Sequence, residues 1–222
     1  MFVAHRFGKE GHAVALVSRR SEQHPGFVGE LADAGIEAAA FTADVTDPAQ
    51  LRTAVEGAGA RFGRIDVLWL GPGAMDGPTA GDIRGISAAE MRAATETILL
   101  PAIDAVSLVL SELRERGSGG LLFAGGVSSV IPLPPLGALA LTAAALHNYA
   151  LTLHAALAPD GVCSGTLTIG GIIERGDIHA AVRANPELVG GIDVPTPNPD
   201  DLAETAWRLY SDRSAPEAVA SP

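Results

Sequence analysis

The side chains in this chain that could do chemistry are few, and their spacing limits what they can do. His147 and His154 lie seven residues apart in one apolar stretch, which on a helix is about 10 Å, too far to share a zinc ion without further ligands. No cysteine or carboxylate run nearby supplies them, so no metal is expected. The segment GGVSSV (125–130) lacks the G-x-S-x-G setting of a hydrolase nucleophile, so Ser128, with Ser129 beside it, is read as a pocket residue. Asp76, Asp82, Glu174 and Arg175 fall in loops, where a general acid could stand. Two glycine clusters invite an anion. GAGARFG (57–63) ends a helical segment instead of opening one, and so fails as a phosphate loop. GPGAMDG (71–77) follows an apolar run, but Pro72 removes an N–H that a phosphate nest would use, leaving Gly71 and Gly73 as candidate contacts.

These groups need elements to hold them. The apolar runs at 12–20, 37–44, 64–71, 119–126 and 161–171 predict short strands buried on both faces. Between them, helices are predicted over 25–34, stopped by Gly35, and over 48–62, opened by Asp47 and Pro48. Two more are predicted over 87–116, opened by Ser87 with Glu90 three residues on, and over 136–158. PTPNPDDL (195–202) reads as a loop entering a last helix, and residues 213–222 as a flexible tail. Strands separated by helices imply parallel pairing through right-handed crossovers. The expectation is one doubly wound α/β domain over residues 1–222, with ligands beyond the carboxyl ends of its strands.

Composition narrows the function classes. A chain of 222 residues, 47% hydrophobic and 18% charged, can bury one sizeable core. Its net charge of −11 and scattered basic residues argue against nucleic acid and anionic membranes as partners and leave small molecules. The single cysteine, Cys163, excludes an intramolecular disulfide and reads as a buried strand thiol. No stretch reads as a signal peptide or spanning helix, so a soluble cytoplasmic protein is expected.

The strings RFGKEGHAVALVSRR (6–20), TADVTD (42–47), RIDVLWLGPGA (64–74), GSGGLLFAGG (117–126) and GALALTAAALHNYALTLHAALAPDGV (137–162) together resemble the short-chain dehydrogenase/reductase family from its second strand onward. The resemblance covers nearly the whole chain in order. It implies a Rossmann-type domain that binds a nicotinamide dinucleotide and pairs into a homodimer or homotetramer through its long helices. Arg19 and Arg20 stand where the family reads the adenosine ribose, and cations there favour a 2′-phosphate, hence NADP. Asp44 and Val45 match the adenine contact. The turn holding Gly71 and Gly73 replaces the family's Asn-Asn-Ala-Gly turn, and Gly170 and Gly171 stand at its Pro-Gly beside the nicotinamide.

Two departures stand out. MFVAHRFGKEG resembles the helix that follows the family's glycine-rich loop, so the strand and loop before it are missing from the match. Either a start lies upstream, or the sheet closes up or borrows a strand. The second departure is catalytic. The family's tyrosine position falls on Leu139, its lysine on Ala143, its serine on Gly126 and its asparagine near Ile98. The only lysine is Lys9, and Tyr149 lies ten residues past Leu139, about 15 Å along a helix. Leu139, Ala143, Leu146, Ala150, Leu153 and Leu157 instead form one apolar stripe, read as core or as an apolar pocket.

No catalytic residue is therefore assigned. The substrate pocket is expected around Ser128, Leu139, Ala143 and Gly171. The resemblance implies a degenerate relative that binds a small apolar ligand or a partner, with remaining NADP affinity. Two alternatives stay open. One is an NAD(P)-dependent oxidoreductase whose proton donor is an unorthodox group such as Ser128 or a bound water; the other is an isomerase, lyase or cyclase.

Overall fold

Local chemistry sets most element ends. The Asp47 carboxylate accepts from the N–H groups of Ala49 and Gln50 at 2.9 and 3.2 Å, and Pro48 follows at the first helical position, where its missing N–H costs nothing. Gly63, at φ 86°, stops the same helix in the left-handed region. The computed structural model describes residues 1–71, 81–189 and 194–220. Its elements run α1 (Phe2–Lys9), β1 (Val14–Ser18), α2 (His24–Asp33), β2 (Ala38–Thr42), α3 (Pro48–Phe62) and β3 (Val67–Leu70). There follow α4 (Ala88–Ala94), α5 (Leu100–Arg116), β4 (Gly119–Gly126), α6 (Gly137–Leu157), β5 (Val162–Ile169), α7 (Asp177–Ala184), α8 (Pro199–Ser211) and β6 (Glu217–Ala220).

The helix expected over 87–116 is interrupted. Ser87 and Glu90 form the expected reciprocal cap on α4, but Thr95–Leu99 is a π turn in which the Leu100 N–H reaches the Thr95 carbonyl. Pro101 follows at once, and it has no N–H to close the bond back to Thr97. Gly117, at φ 67°, ends α5.

All strand pairs are parallel, as the alternation of strand and helix implies. The expected single sheet is nevertheless two: β1 pairs with β2, while β3, β4, β5 and β6 form a second sheet in that order. Among the described residues no ladder joins β1 to β3, so the sheet does not close up there. Burial follows from this division. Leu121, Leu122, Phe123 and Ala124 of β4 and all of β5 are buried, as expected. β1, β2 and β3 are not: Val17 is 36% exposed, and every residue of β3 is only half-buried. Each of these strands has one neighbour and leaves its other edge open, in the two-stranded sheet for β1 and β2 and at the rim of the larger sheet for β3.

The core of the larger sheet has two sides. Leu121 and Phe123 pack with Val106, Val109 and Leu113 of α5 and Leu146 and Ala150 of α6. Leu122 and Ala124 face the other way, onto Phe7 of α1 and Leu202, Ala206 and Leu209 of α8. Phe7 meets Trp207 edge-on at 5.1 Å, and Arg6 bonds Glu204 at 2.6 Å, fixing α1 to α8.

One expectation needs correction: within the segment read as a flexible tail, residues 217–220 are strand β6, held by pairing from Thr166 with Glu217 to Ile169 with Ala220. The helical stretches Ala88–Arg116 and Pro134–Asp160 pass the length and hydropathy of a membrane span, with mean hydropathy 1.6 and 1.3, as core helices also do. Both lie against the sheet, α5 on β4 and α6 on β4 and β5.

Candidate functional site

Arg19, Arg20, Asp44, Val45, Gly71, Ser128 and Gly171 follow the carboxyl ends of β1 to β5. Arg19 and Arg20 leave the end of β1, exposed. Arg19 comes close enough to Asp44, beyond β2, to help hold that carboxyl below its usual range, although the hydroxyl and N–H of Thr46 are the larger causes. Asp44 is a turn residue: its Oδ1 accepts from Thr46 N–H at 3.0 Å and Thr46 Oγ1 at 2.7 Å, while capping of α3 falls to Asp47. Val45 is exposed beside it. Gly71 follows β3 directly, whereas Gly73 and Asp76 lie outside the described residues.

Sequence reasoning missed a pair in this region. The Ser18 Oγ at the end of β1 lies 2.7 Å from His24 Nε2 and 3.2 Å from the Arg20 carbonyl oxygen. His24, in the first turn of α2, is only 8% exposed. A serine and a histidine six residues apart across a bend carry no periodic signal, and only the folded loop brings them together.

At the end of β4 the chain makes a 3-10 turn, Val127–Ser129, that rests on α6 and β5. The Ser129 hydroxyl there is buried and has no hydrogen-bond partner among the described residues, an arrangement that ordinarily signals a bound group or water, or a cost of about 1–3 kcal/mol. Ser128, next to it, is half-buried.

The stripe on α6 divides. Leu146, Ala150 and Leu157 are core, but Leu139 and Ala143 are half-exposed, and the first two turns bury Ala138 and the fully enclosed Thr142 instead. Leu139 and Ala143 are therefore partly open, on the helix against which the Ser128–Ser129 turn rests. Tyr149 cannot replace the missing phenol: it packs edge-on against Phe123 at 5.9 Å, and burial pushes its hydroxyl above the ordinary value, away from an easily ionised phenol.

Beyond β5, Gly171 sits at φ 139° with the Pro195 carbonyl where a Cβ would go. The N–H groups of Ile172 and Glu174 donate to the carbonyls of Pro195 and Pro197, at 2.9 and 3.1 Å, closing the base of the excursion that carries α7. Arg175, in the left-handed region at φ 63°, bonds Asp200 at 2.6 Å and Asn198 at 3.1 Å and lies over the ring of Phe2 at 4.6 Å. It ties three elements together, and Asp82 is bonded to Arg84 at 2.6 Å, so neither is poised as a general acid. His147 and His154 are committed to Glu217 and the Ser164 carbonyl, at 2.9 and 3.0 Å. Among the described residues no three histidine, cysteine or carboxylate side chains meet as a metal site. Cys163 is buried, and burial pushes its thiol up.

The family model for short chain dehydrogenases matches residues 1–186. A dehydrogenase subunit of Thauera aromatica that acts on (2S)-[(R)-hydroxy(phenyl)methyl]succinyl-CoA is 29% identical over 96% of this chain and 82% of its own. An actinorhodin polyketide ketoreductase variant crystallised with NADPH superposes with TM-score 0.86 at 21% identity, covering 98% of this chain and 89% of that one. A 7α-hydroxysteroid dehydrogenase crystallised with NADH and a 7-oxo bile acid conjugate reaches the same TM-score at 20% identity, covering 99% and 87%.

Proposed function

The chain belongs to the short chain dehydrogenase family, and on that premise we propose a member without the usual hydride-transfer machinery, which binds a small apolar ligand or partner and retains affinity for NADP. The observation that carries this reading is the first half of α6. Leu139 and Ala143 stand half-exposed on the helix against which the Ser128–Ser129 turn rests, and the chain's only lysine, Lys9, lies in α1. A half-exposed leucine and alanine favour an apolar ligand and offer it no proton.

The adenosine end suits the dinucleotide better. Arg19 and Arg20 follow Ser18, whose hydroxyl ends β1, with Asp44 and Val45 beyond β2. Guanidinium groups and a hydroxyl are the chemistry that grips a 2′-phosphate. When bound, the dinucleotide supplies hydride chemistry at its nicotinamide. This chain's own groups there, Gly171 and the two serines, can shape the site and donate one hydrogen bond from each hydroxyl.

A second reading rests on Ser129. Its buried, unpartnered hydroxyl could orient a carbonyl in an unorthodox oxidoreductase. Ser129→Ala separates the two: loss of turnover supports the oxidoreductase, whereas a variant that is only as stable or more stable supports the binding protein. We also propose that the exposed Leu100 and Ile103 of α5 and Leu141 of α6, 45%, 36% and 47% exposed, are covered by a second copy.

The decisive experiment is NADPH fluorescence titration followed by NADPH oxidation with a panel of ketones and aldehydes. Saturable binding without oxidation is expected. Turnover at ordinary enzyme rates, about 1 s⁻¹ or faster, overturns the degenerate reading.

A further inference from the structure

The bend between β1 and α2 places a buried imidazole behind an exposed hydroxyl. Ser18 has one hydrogen to donate and two lone pairs. Its Oγ makes two contacts, 2.7 Å to His24 Nε2 and 3.2 Å to the Arg20 carbonyl. A carbonyl can only accept, so both contacts are hydrogen bonds only when Ser18 donates to Arg20 and the imidazole donates to Ser18 from Nε2. In that arrangement the short bond fixes the oxygen in place, and the long one holds the hydrogen weakly. Polarised by the imidazole N–H, the hydroxyl is a stronger donor to any incoming anion than a free serine would be.

The surroundings define the anion. Arg19 and Arg20 follow Ser18 in sequence, and the Ser18 carbonyl is already bound by the Ala43 N–H at 3.1 Å, which holds the end of β1 against that of β2. The hydroxyl is thus fixed from both ends of its residue and stands on an exposed strand terminus. A phosphomonoester brings the terminal oxygens that such a donor and two guanidinium groups can share.

We propose that His24 is a positioning residue for dinucleotide selection: acting through Ser18, it aims a polarised hydroxyl at the 2′-phosphate of the adenosine ribose. The inference rests on the NADP reading above and adds to it a determinant that touches no ligand. It also accounts for a histidine buried to 8% exposure whose imidazole is turned to the strand end.

The test uses 2′,5′-ADP and 5′-AMP as probes, with binding followed by calorimetry on the full chain. Wild type is expected to prefer 2′,5′-ADP by tenfold or more. Ser18→Ala and His24→Ala each lower 2′,5′-ADP affinity about five- to tenfold, the net scale of one hydrogen bond, and leave 5′-AMP affinity unchanged. His24→Gln, whose amide N–H can replace Nε2, restores most of the loss. The double variant Ser18→Ala with His24→Ala loses no more than Ser18→Ala alone. A misfolded variant would lose both ligands together and is recognised by that. If wild type shows no preference for 2′,5′-ADP, the NADP reading fails. If wild type does prefer it and His24→Ala binds as wild type does, or His24→Gln fails to rescue, the role given to His24 is overturned.

Discussion

His147 Nε2 and Glu217 Oε1 stand 2.9 Å apart, tying the middle of α6 to the first residue of β6. The same carboxylate oxygen accepts from Thr168 Oγ1 at 2.9 Å, and Thr168 is fully buried. Glu217→Ala therefore strands a buried hydroxyl as well as the imidazole. It is expected to destabilise the protein by about 1–3 kcal/mol in urea denaturation. Val219→Ala, two residues on at a position 60% exposed, should change stability by no more than about 0.5 kcal/mol.

That contact also sets an acid dependence. Burial pushes the Glu217 carboxyl up, but hydrogen bonds from His147 and Thr168 outweigh it and leave the group below its ordinary value. Because the folded value is the lower one, the stabilisation is complete above the unfolded value, about 4.3, and fades as the pH falls through the folded value. Wild type should exceed Glu217→Gln in stability above about pH 5, and the two denaturation curves should converge in stronger acid.

Gly171→Ala tests the base of the α7 excursion. A Cβ at that position collides with the Pro195 carbonyl, and φ 139° is strained for alanine in any case. A loss of about 1–3 kcal/mol is expected. Cleavage by a nonspecific protease between residues 175 and 195 should quicken more than cleavage elsewhere.

Leu139 and Ala143 are four residues apart on one face of α6, and both are half-exposed. Leu139→Tyr with Ala143→Lys therefore places a phenol beside an ammonium without filling a core position. The double variant is expected to oxidise NADPH with a ketone substrate about a hundredfold above the wild-type background, the scale of general acid catalysis. Leu139→Tyr alone should gain far less.

Much of the scaffold was legible because its signals are local. Asp47-Pro48 and Gly63 bound α3 at the expected residues, and the run 119–126 is β4 without adjustment. The single helix expected over 87–116 omits the π turn, because Pro101 shifts a hydrogen bond without interrupting the apolar pattern of the helix. β6 was missed since EAVA, four residues without alternation, is a strand only because β5 offers it an edge. The burial of β1 depends equally on a neighbour that no local pattern reveals. At the site, Arg19, Arg20, Asp44, Val45, Ser128 and Gly171 do fall at strand ends, since topology alone puts them there. Ser18 with His24, and the enclosed Ser129 hydroxyl, depend on how loops turn back, which spacing does not encode.

The division between β1 and β3 has a mechanical meaning. Main-chain ladders hold their strands at a fixed pitch, whereas packed side chains resist separation but tolerate small sliding and shear. Arg19 and the Ser129 turn follow strands of different sheets, with no ladder between the two among the described residues, so the span between them is set by side-chain packing. A molecule long enough to grip both would act as a brace, and part of its binding energy would go into setting the distance that it measures.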